Sequence, residues 1–387
     1  MSLYIELTEF LKNPITTGIQ RVEGELCKFL PRGAVTPVVL GEDGYYTLPG
    51  ELMQAIGKHF RDPSDEGVRE IRRIAAIREK TPIKLSTRDV MLVPEVITEP
   101  RRLVYLESLS SEELERHRFI IHDLLPITHP ELFSTDWLIE ICSYYRVLRR
   151  APHCAFVSEA TREVYYGRLK RTKERGGFVF SPGSDGLGPR HRKDSGSKLP
   201  MNFTVLGTIE PRKNHRFILD AFEPLLRGIR GLTLSFVGKI GWVDGTFAER
   251  VRKMAADKNS GLRFVSSPDD DTVRRELENA RATVYLSVAE GYGLPPMESL
   301  WLGTPVIASL AVPSLQRLGS AGVHYVDPLR PEVLRRAVLD FLEDRYAAKK
   351  AAEAAEVELP TWSGFAEQVF EWCTEPAVRS NLAAAAS

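Results

Sequence analysis

Two rounds of the same alternation constrain this chain more than any single residue. Short apolar, strand-like runs take turns with helical patterns from residue 3 onward, and the rhythm stops at Ser181-Pro182-Gly183-Ser184-Asp185-Gly186-Leu187-Gly188-Pro189. After a charged, serine-rich stretch through Lys198 it begins again. A strand followed by a helix followed by a strand brings successive strands up parallel, with helices covering the sheet. The expected fold is therefore α/β, with two doubly wound halves facing a cleft. A length of 387 residues suits two domains. The boundaries implied are 1–185, a linker at 186–199, 200–360, and a closing helix with its tail at 361–387.

In the first half, strands are expected at 3–7, 34–40, 90–93, 102–106, 119–121 and 154–157. Helices are expected over 19–30 and most of 52–77, broken near Asp62-Pro63. In the second half the strands fall at 203–206, 232–237, 262–265 and 282–286, and the helices at 215–226, 245–256 and 271–280. Residues 346–358 are rich in Ala, Glu and Lys and helical by propensity. Pro360 breaks that pattern, an amphipathic helix follows at 362–372, and 381–387 is expected to fray.

Lys+Arg and Asp+Glu both total 52, so bulk charge gives no argument for nucleic acid. Cys27, Cys142, Cys154 and Cys373 lack CxxC or metal-ligand spacing, which argues against a disulfide framework or zinc site and fits a reducing cytoplasm. The start, Met1-Ser2-Leu3-Tyr4-Ile5-Glu6, has neither the basic region nor the apolar core of a signal peptide. No run approaches the roughly 20 apolar residues of a membrane span.

The stretch Glu290-Gly291-Tyr292-Gly293-Leu294-Pro295-Pro296-Met297-Glu298 follows an apolar strand and opens a short helix that Gly303 closes. Strand, glycine loop and proline-started helix form a phosphate-binding layout. Backbone N–H groups near Gly293 and Leu294 would face a diphosphate. Glu290 would accept from sugar hydroxyls, and Glu298, in the first helical turn, from ribose hydroxyls. In one continuous helix the two glutamates would lie about 12 Å apart, beyond the carboxylate spacing of glycosidases. A tight turn in which Glu298 merely complements the helix dipole is the alternative.

Leu206-Gly207-Thr208-Ile209-Glu210-Pro211-Arg212-Lys213-Asn214-His215 is a second strand, loop and helix start. Arg212 and Lys213 would neutralise charge developing on a leaving phosphate, or else form a solvated basic pair. In the first half, His122 and Asp123 follow the strand at 119–121. His122 could donate to a substrate hydroxyl, act as an acid or base, or satisfy loop carbonyls. Asp123 could orient the ring or serve the turn. Thr16-Thr17-Gly18 opens a helix with Arg21 in its first turn, a glycine loop that lets backbone approach a ligand. Asp269-Asp270-Asp271 precedes a helix and is read as its cap rather than a metal site. The segment 144–175 is basic through Arg146, Arg149, Arg150, Arg162, Arg168, Lys170, Arg171, Lys173 and Arg175. It is either a solvated face or a patch for an anionic membrane or a lipid-diphosphate acceptor.

Together these residues resemble the retaining GT-B glycosyltransferases of family 4. The 290–298 stretch matches that family's E-x7-E signature, and 207–215 is similar to the Gly-Thr-x-Glu-Pro-Arg-Lys-Asn form of bacterial mannosyltransferase-like members. Val237-Gly238-Lys239-Ile240-Gly241-Trp242 and Trp301-Leu302-Gly303-Thr304-Pro305-Val306-Ile307 look like the family too. Residues 17–22 and 122–130 are similar to a subgroup with surface-polysaccharide enzymes.

The resemblance, over about 3–372, implies two Rossmann-like domains, the first on the acceptor side and the second holding a nucleoside-diphosphate sugar. It implies retained anomeric configuration and no cofactor or metal. By it Glu290 would contact the donor sugar, Glu298 the ribose, Arg212 and Lys213 the diphosphate, and His122 would sit by the sugar. Gly18, Arg21, Asp123, Thr208, Gly291, Tyr292, Gly293 and Leu294 would complete the donor contacts. The helix at 362–372 would cross back to the first domain.

Two features depart from the family pattern. Thr208 stands where many members have Arg, which leaves Arg212 to take over the phosphate contact. Pro313-Ser314-Leu315-Gln316 stands where many have Pro-Glu. The activity implied is transfer of a hexose, with GDP-mannose favoured, onto a glycan or lipid-linked glycan in surface-polysaccharide synthesis. It would take place in the cytoplasm or at the inner membrane face. A nucleotide-sugar epimerase and a non-catalytic sugar-nucleotide or glycan-binding protein are the other classes compatible with the motifs.

Overall fold

A computed structural model describes residues 1–14, 17–79, 81–172, 176–191 and 199–374. Thr16 of the glycine loop, Lys173 and Arg175 of the basic segment, positions 192–198 of the expected linker, and the tail from 375 lie outside the described residues. The chain forms two compact units, Met1–Gly183 with Thr361–Ser387, and Ser184–Pro360.

The first unit holds β1 (Leu3–Glu6), β2 (Val35–Leu40), β3 (Tyr45–Thr47), β4 (Val90–Val93), β5 (His117–Ile121), β6 (Cys154–Phe156) and β7 (Phe178–Val179), in the spatial order β3-β2-β1-β4-β5-β6-β7. Leu3 of β1 stands opposite Val35 on one side and Val90 on the other. The strands are parallel except β3. That strand is a hairpin return absent from the sequence expectation. Gly41-Glu42-Asp43-Gly44 makes the turn, and Gly41 N–H donates to Gly44 O at 2.8 Å. β4 and β5 are buried along their whole length, as strands covered on both faces must be.

The strand expected at 102–106 is instead the middle of the helix Pro100–Ser108. The apolar run Leu103-Val104-Tyr105-Leu106 looks like a strand, but Pro100 sits in the first turn and the Glu99 side chain accepts from Arg102 N–H at 2.7 Å. The helical period buries Leu103 and Leu106 and leaves Val104 exposed. Arg102 is itself buried, ion-paired with Glu6, with Glu9 at 3.3 Å and with Glu95 at 3.0 Å. The last helix, Trp362–Thr374, packs on the helix Gly18–Phe29 and on β4. It buries Trp362, Phe365, Val369 and Trp372 in the first unit.

The second unit holds β8 (Asn202–Leu206), β9 (Thr233–Val237), β10 (Leu262–Val265), β11 (Ala282–Tyr285), β12 (Val306–Ala308) and β13 (Val323–Tyr325), ordered β10-β9-β8-β11-β12-β13 and all parallel. From β8 the chain winds outward to β10, then returns to β11 on the other side of β8 and winds out again. The reversal between β8 and β11 is the topological switch point, where loops at the strands' carboxyl ends diverge and leave room for a ligand. The described part of the expected linker belongs to this unit. Leu187 joins an apolar cluster with Val273, Leu277 and Leu302, and Gly188 O accepts from Trp301 Nε1 at 2.9 Å.

Candidate functional site

The two strands at the switch point carry the two motifs. Beyond β8 the backbone stays extended and pairs with the segment beyond β9: Gly207 N–H donates to Val237 O at 2.9 Å and Ile209 N–H to Lys239 O at 2.8 Å. Gly238 (φ +147°) permits this approach, because a Cβ there would lie 2.2 Å from Gly207 O. Thr208 lies in this paired stretch with its methyl against Gly241. A single 3-10 turn, Pro211–Lys213, follows, and Asn214, left-handed at φ 59°, hands the chain to the helix His215–Gly228.

That turn delivers two cations onto one carboxylate. Arg212 Nη1 donates to Glu290 Oε2 at 2.5 Å and to Ala289 O at 3.2 Å, while Arg212 Nη2 pairs with Glu210 at 2.7 Å. Lys213 Nζ donates to Glu290 Oε1 at 2.6 Å and also to the Tyr285 hydroxyl. Tyr285 OH in turn donates to Glu290 Oε1 at 2.9 Å, and Lys213 Nζ lies 4.5 Å from the centre of the Tyr285 ring. The Glu290 side chain is 7% exposed and that of Lys213 11%. Burial pushes the Glu290 carboxyl up, but Lys213 and Arg212 pull harder and hold it at about 2. Burial also lowers the Lys213 pKa, against the pull of Glu290. Glu290 is therefore an anion throughout the neutral range, with two cations fixed against it.

Val288 N–H donates to Arg212 O at 2.9 Å and ties the two loops together. Past Glu290, Gly291 and the buried Tyr292 lead to Gly293, whose φ of +99° caps the helix Leu294–Trp301. A Cβ on Gly293 would meet Val312 Cγ1 at 2.6 Å. Ser314 clamps the turn, donating from Oγ to Gly293 O at 3.0 Å and from N–H to Tyr292 O at 3.1 Å. Here the departure at 313–316 has a structural use. Glu298 is buried and falls just past the first turn of the helix, not within it.

Thus Arg212, Lys213 and Glu290 touch, and Thr208, Gly291, Tyr292, Gly293, Leu294 and Glu298 lie on the same pair of loops or the helix they open. Gly18, Arg21, His122 and Asp123 lie in the first unit. Thr17 caps the helix Gly18–Phe29 by accepting from Gln20 N–H at 3.3 Å, which puts Gly18 first and Arg21 in the first turn. His122 is buried, and its Nε2 lies 2.6 Å from Pro94 O. Since a carbonyl only accepts, Nε2 carries the proton; burial lowers the ring's pKa, so Nδ1 is an acceptor. Asp123 takes the turn role, accepting from Leu125 N–H at 3.1 Å.

Several cations of the basic segment bond within their own unit. Arg146 pairs with Glu107 at 2.8 Å, Arg162 with Glu159 at 2.7 Å, and Lys170 donates to Ala151 O at 2.8 Å. Asp269 caps the helix Asp270–Glu278 through Thr272 N–H at 2.8 Å. No helix among the described residues is long and apolar enough to cross a membrane.

Sequence reasoning missed Tyr285, Glu210 and Ser314. Tyr285 carried a signal: a tyrosine within the apolar run Ala282-Thr283-Val284-Tyr285-Leu286 must find its hydroxyl a partner. Ser314 carried none, because its partners are 21 and 22 residues away on another loop.

Residues 189–358 match the family described as glycosyl transferases group 1. Over 94% of its length the chain is 24% identical to the serotype-specific mannosyltransferase WbdA of Escherichia coli, of which it covers 44%. It therefore spans less than half the length of that relative. A stretch of 140 residues, 36% of each protein, is 31% identical to O-antigen chain mannosyltransferase B of E. coli. Among solved structures, Anabaena Alr3699/HepE in complex with UDP and glucose superposes with a TM-score of 0.65 at 15% identity, over 96% of this chain and 98% of that one. The two-sheet α/β architecture is thus of the GT-B type.

Proposed function

Residues 189–358 match the group 1 glycosyl transferases, and from that match we propose that the protein is a retaining hexosyltransferase using GDP-mannose. Its acceptor would be a glycan or lipid-linked glycan in bacterial surface-polysaccharide synthesis. The naming of relatives as O-antigen and serotype-specific mannosyltransferases favours mannose over other hexoses. One observation carries the reading: Arg212 and Lys213 converge on Glu290 at the switch point of the second sheet.

In this reading the donor diphosphate lies against Arg212 and Lys213, with the backbone N–H groups at Gly293 and Leu294 behind it. The bond from the anomeric carbon to the phosphate oxygen breaks as the acceptor oxygen attacks from the same face. The acceptor's proton passes to the departing phosphate, and the nucleoside diphosphate leaves. Charge grows on that phosphate during bond breaking, and cations already fixed in place stabilise it without reorganising. Glu290, ionised throughout the neutral range, accepts from the sugar's hydroxyls and has no proton to give there. Glu298 is assigned to the ribose, and His122, through Nδ1, to a substrate hydroxyl. The charge is met by side chains, so turnover should survive a chelator.

The test is transfer of labelled hexose from GDP-, UDP-, dTDP- and ADP-sugars to mannose-terminated oligosaccharides, with and without EDTA. Transfer from GDP-mannose with the α-anomer retained is expected. No transfer from any donor would sink the reading. Conversion of the donor without acceptor would replace it with an epimerase.

A further inference from the structure

The first unit contains a second feature unrelated to the loops above. A cavity of about 430 Å³ opens between the C-terminal part of the helix Gly18–Phe29, the start of β2 and the helix Glu51–Arg61. Val35, Thr36 and Pro37 are among its lining residues, so it sits at the amino end of β2. In open α/β sheets the ordinary ligand site lies at the carboxyl ends of the strands, and this cavity is at the opposite edge.

Its lining holds Lys28, Arg32, Lys58 and Arg61 and, among the described residues, no carboxylate. Lys28 pairs with Glu25 at 3.0 Å. The side chains of Arg32, Lys58 and Arg61 make no hydrogen bond or ion pair with another described residue; the Lys58 ammonium meets Glu70 only as a more distant charge. Elsewhere in the chain, exposed arginines commonly find partners: Arg73 has Glu70 at 2.8 Å and Arg146 has Glu107. Four like charges round one concavity repel one another unless an anion joins them. The rest of the lining is largely apolar, including Leu30, Pro31, Val35 and Met53. The volume is that of a small-molecule site.

We propose that this cavity binds a phosphate-bearing ligand with an apolar portion next to the phosphate, at a site distinct from the Arg212–Lys213 loops. Arg32 and Arg61 would fork onto phosphate oxygens, Lys58 and Lys28 would supply point charges, and the apolar lining would take the adjoining carbon skeleton. Such a phosphate belongs either to a soluble phosphate ester or to a lipid headgroup.

The probes are geranyl diphosphate in titration calorimetry and vesicles of phosphatidylglycerol with phosphatidylcholine in a sedimentation assay, both at roughly physiological salt. The full chain is compared with three double variants: Lys58→Gln with Arg61→Gln, Arg212→Gln with Lys213→Gln, and, as a charge control on exposed positions, Arg69→Gln with Arg72→Gln. Binding of at least one probe should weaken by about tenfold or more in the first variant and stay within about twofold of the parent in the charge control. The second variant removes any diphosphate held at the Arg212–Lys213 loops and leaves the binding lost in the first variant in place. Loss of calorimetric binding identifies a soluble ester; loss confined to vesicles identifies a headgroup. Equal binding by the parent and the first variant, absence of binding to both probes, or an equal loss in the control overturns the proposal. Far-UV circular dichroism of the first variant should match the parent, since both side chains are exposed.

Discussion

Replacing Tyr285 by Phe removes one hydroxyl from the strand beneath Glu290, and with it one of two acceptors for Lys213 and a donor to the carboxylate. Hydrogen bonds to charged groups contribute about 1.5–3 kcal/mol to stability, so the melting temperature should fall by several degrees and kcat/KM for the nucleotide sugar should fall about tenfold. Steady-state kinetics beside a thermal scan separates the two effects. Glu290→Gln keeps the shape and removes the charge; by analogy with loss of one preorganised electrostatic contact, turnover should drop by about 10²–10³. The pH dependence has a defined sign. The Glu290 carboxyl is held at about 2 against an ordinary 4.5, so its contribution to stability is complete above pH 4.5 and is lost as pH falls toward 2. A profile of unfolding midpoint against pH should show the acid loss in the parent and less of it in Glu290→Gln. The placement of Glu290, Arg212 and Lys213 on loops at strand ends could be read from sequence because glycine and proline punctuate those loops. Tyr285 sits 72 residues from Lys213 along the chain, and only the sheet brings them together.

Among the elements, the turn at Gly293 is the most sharply specified. Gly293→Ala forces a side chain into φ +99° and against Val312, which should cost about 1–3 kcal/mol in urea unfolding and disturb donor binding along with it. The helix Gly18–Phe29 carries a different liability. Burial pushes its Glu23 carboxyl up to about 8. A carboxyl with a raised pKa adds stability that is whole below pH 4.5 and drains as pH rises through 8. Glu23→Gln should flatten that decline and raise the unfolding midpoint at pH 8 by several degrees, as a pH series of thermal scans would record. The helix Pro100–Ser108 shows why element type was not fully legible. Its apolar run fits a strand locally, and the helical outcome depends on Glu99 capping it and on Arg102 reaching Glu6, Glu9 and Glu95. Glu6 and Glu9 lie on the far side of β2 to β4 in sequence, at a separation no local window sees.

At the scale of the molecule, both sheets could be anticipated from the repeated alternation, because period and punctuation are local properties. Strand order could not, since it is decided by which parallel neighbours bury the most apolar surface. The helix Trp362–Thr374 is the largest such debt to distant sequence. Each of its buried side chains, Trp362, Phe365, Val369 and Trp372, is worth about 1.5–3 kcal/mol of burial. Deleting residues 361–387 should lower or abolish the first unit's calorimetric transition while that of Ser184–Pro360 persists. The same helix sets a schedule for biosynthesis. A ribosome delivers the amino-terminal unit first, at about 5–20 residues per second, yet that unit lacks one wall until the whole second unit has been made. The nascent first sheet must therefore wait, its flank on the helix Gly18–Phe29 uncovered, for the interval needed to translate residues 184–360. During that wait the second unit can finish before the first, which makes the nascent chain a candidate for chaperone holding on its amino-terminal half.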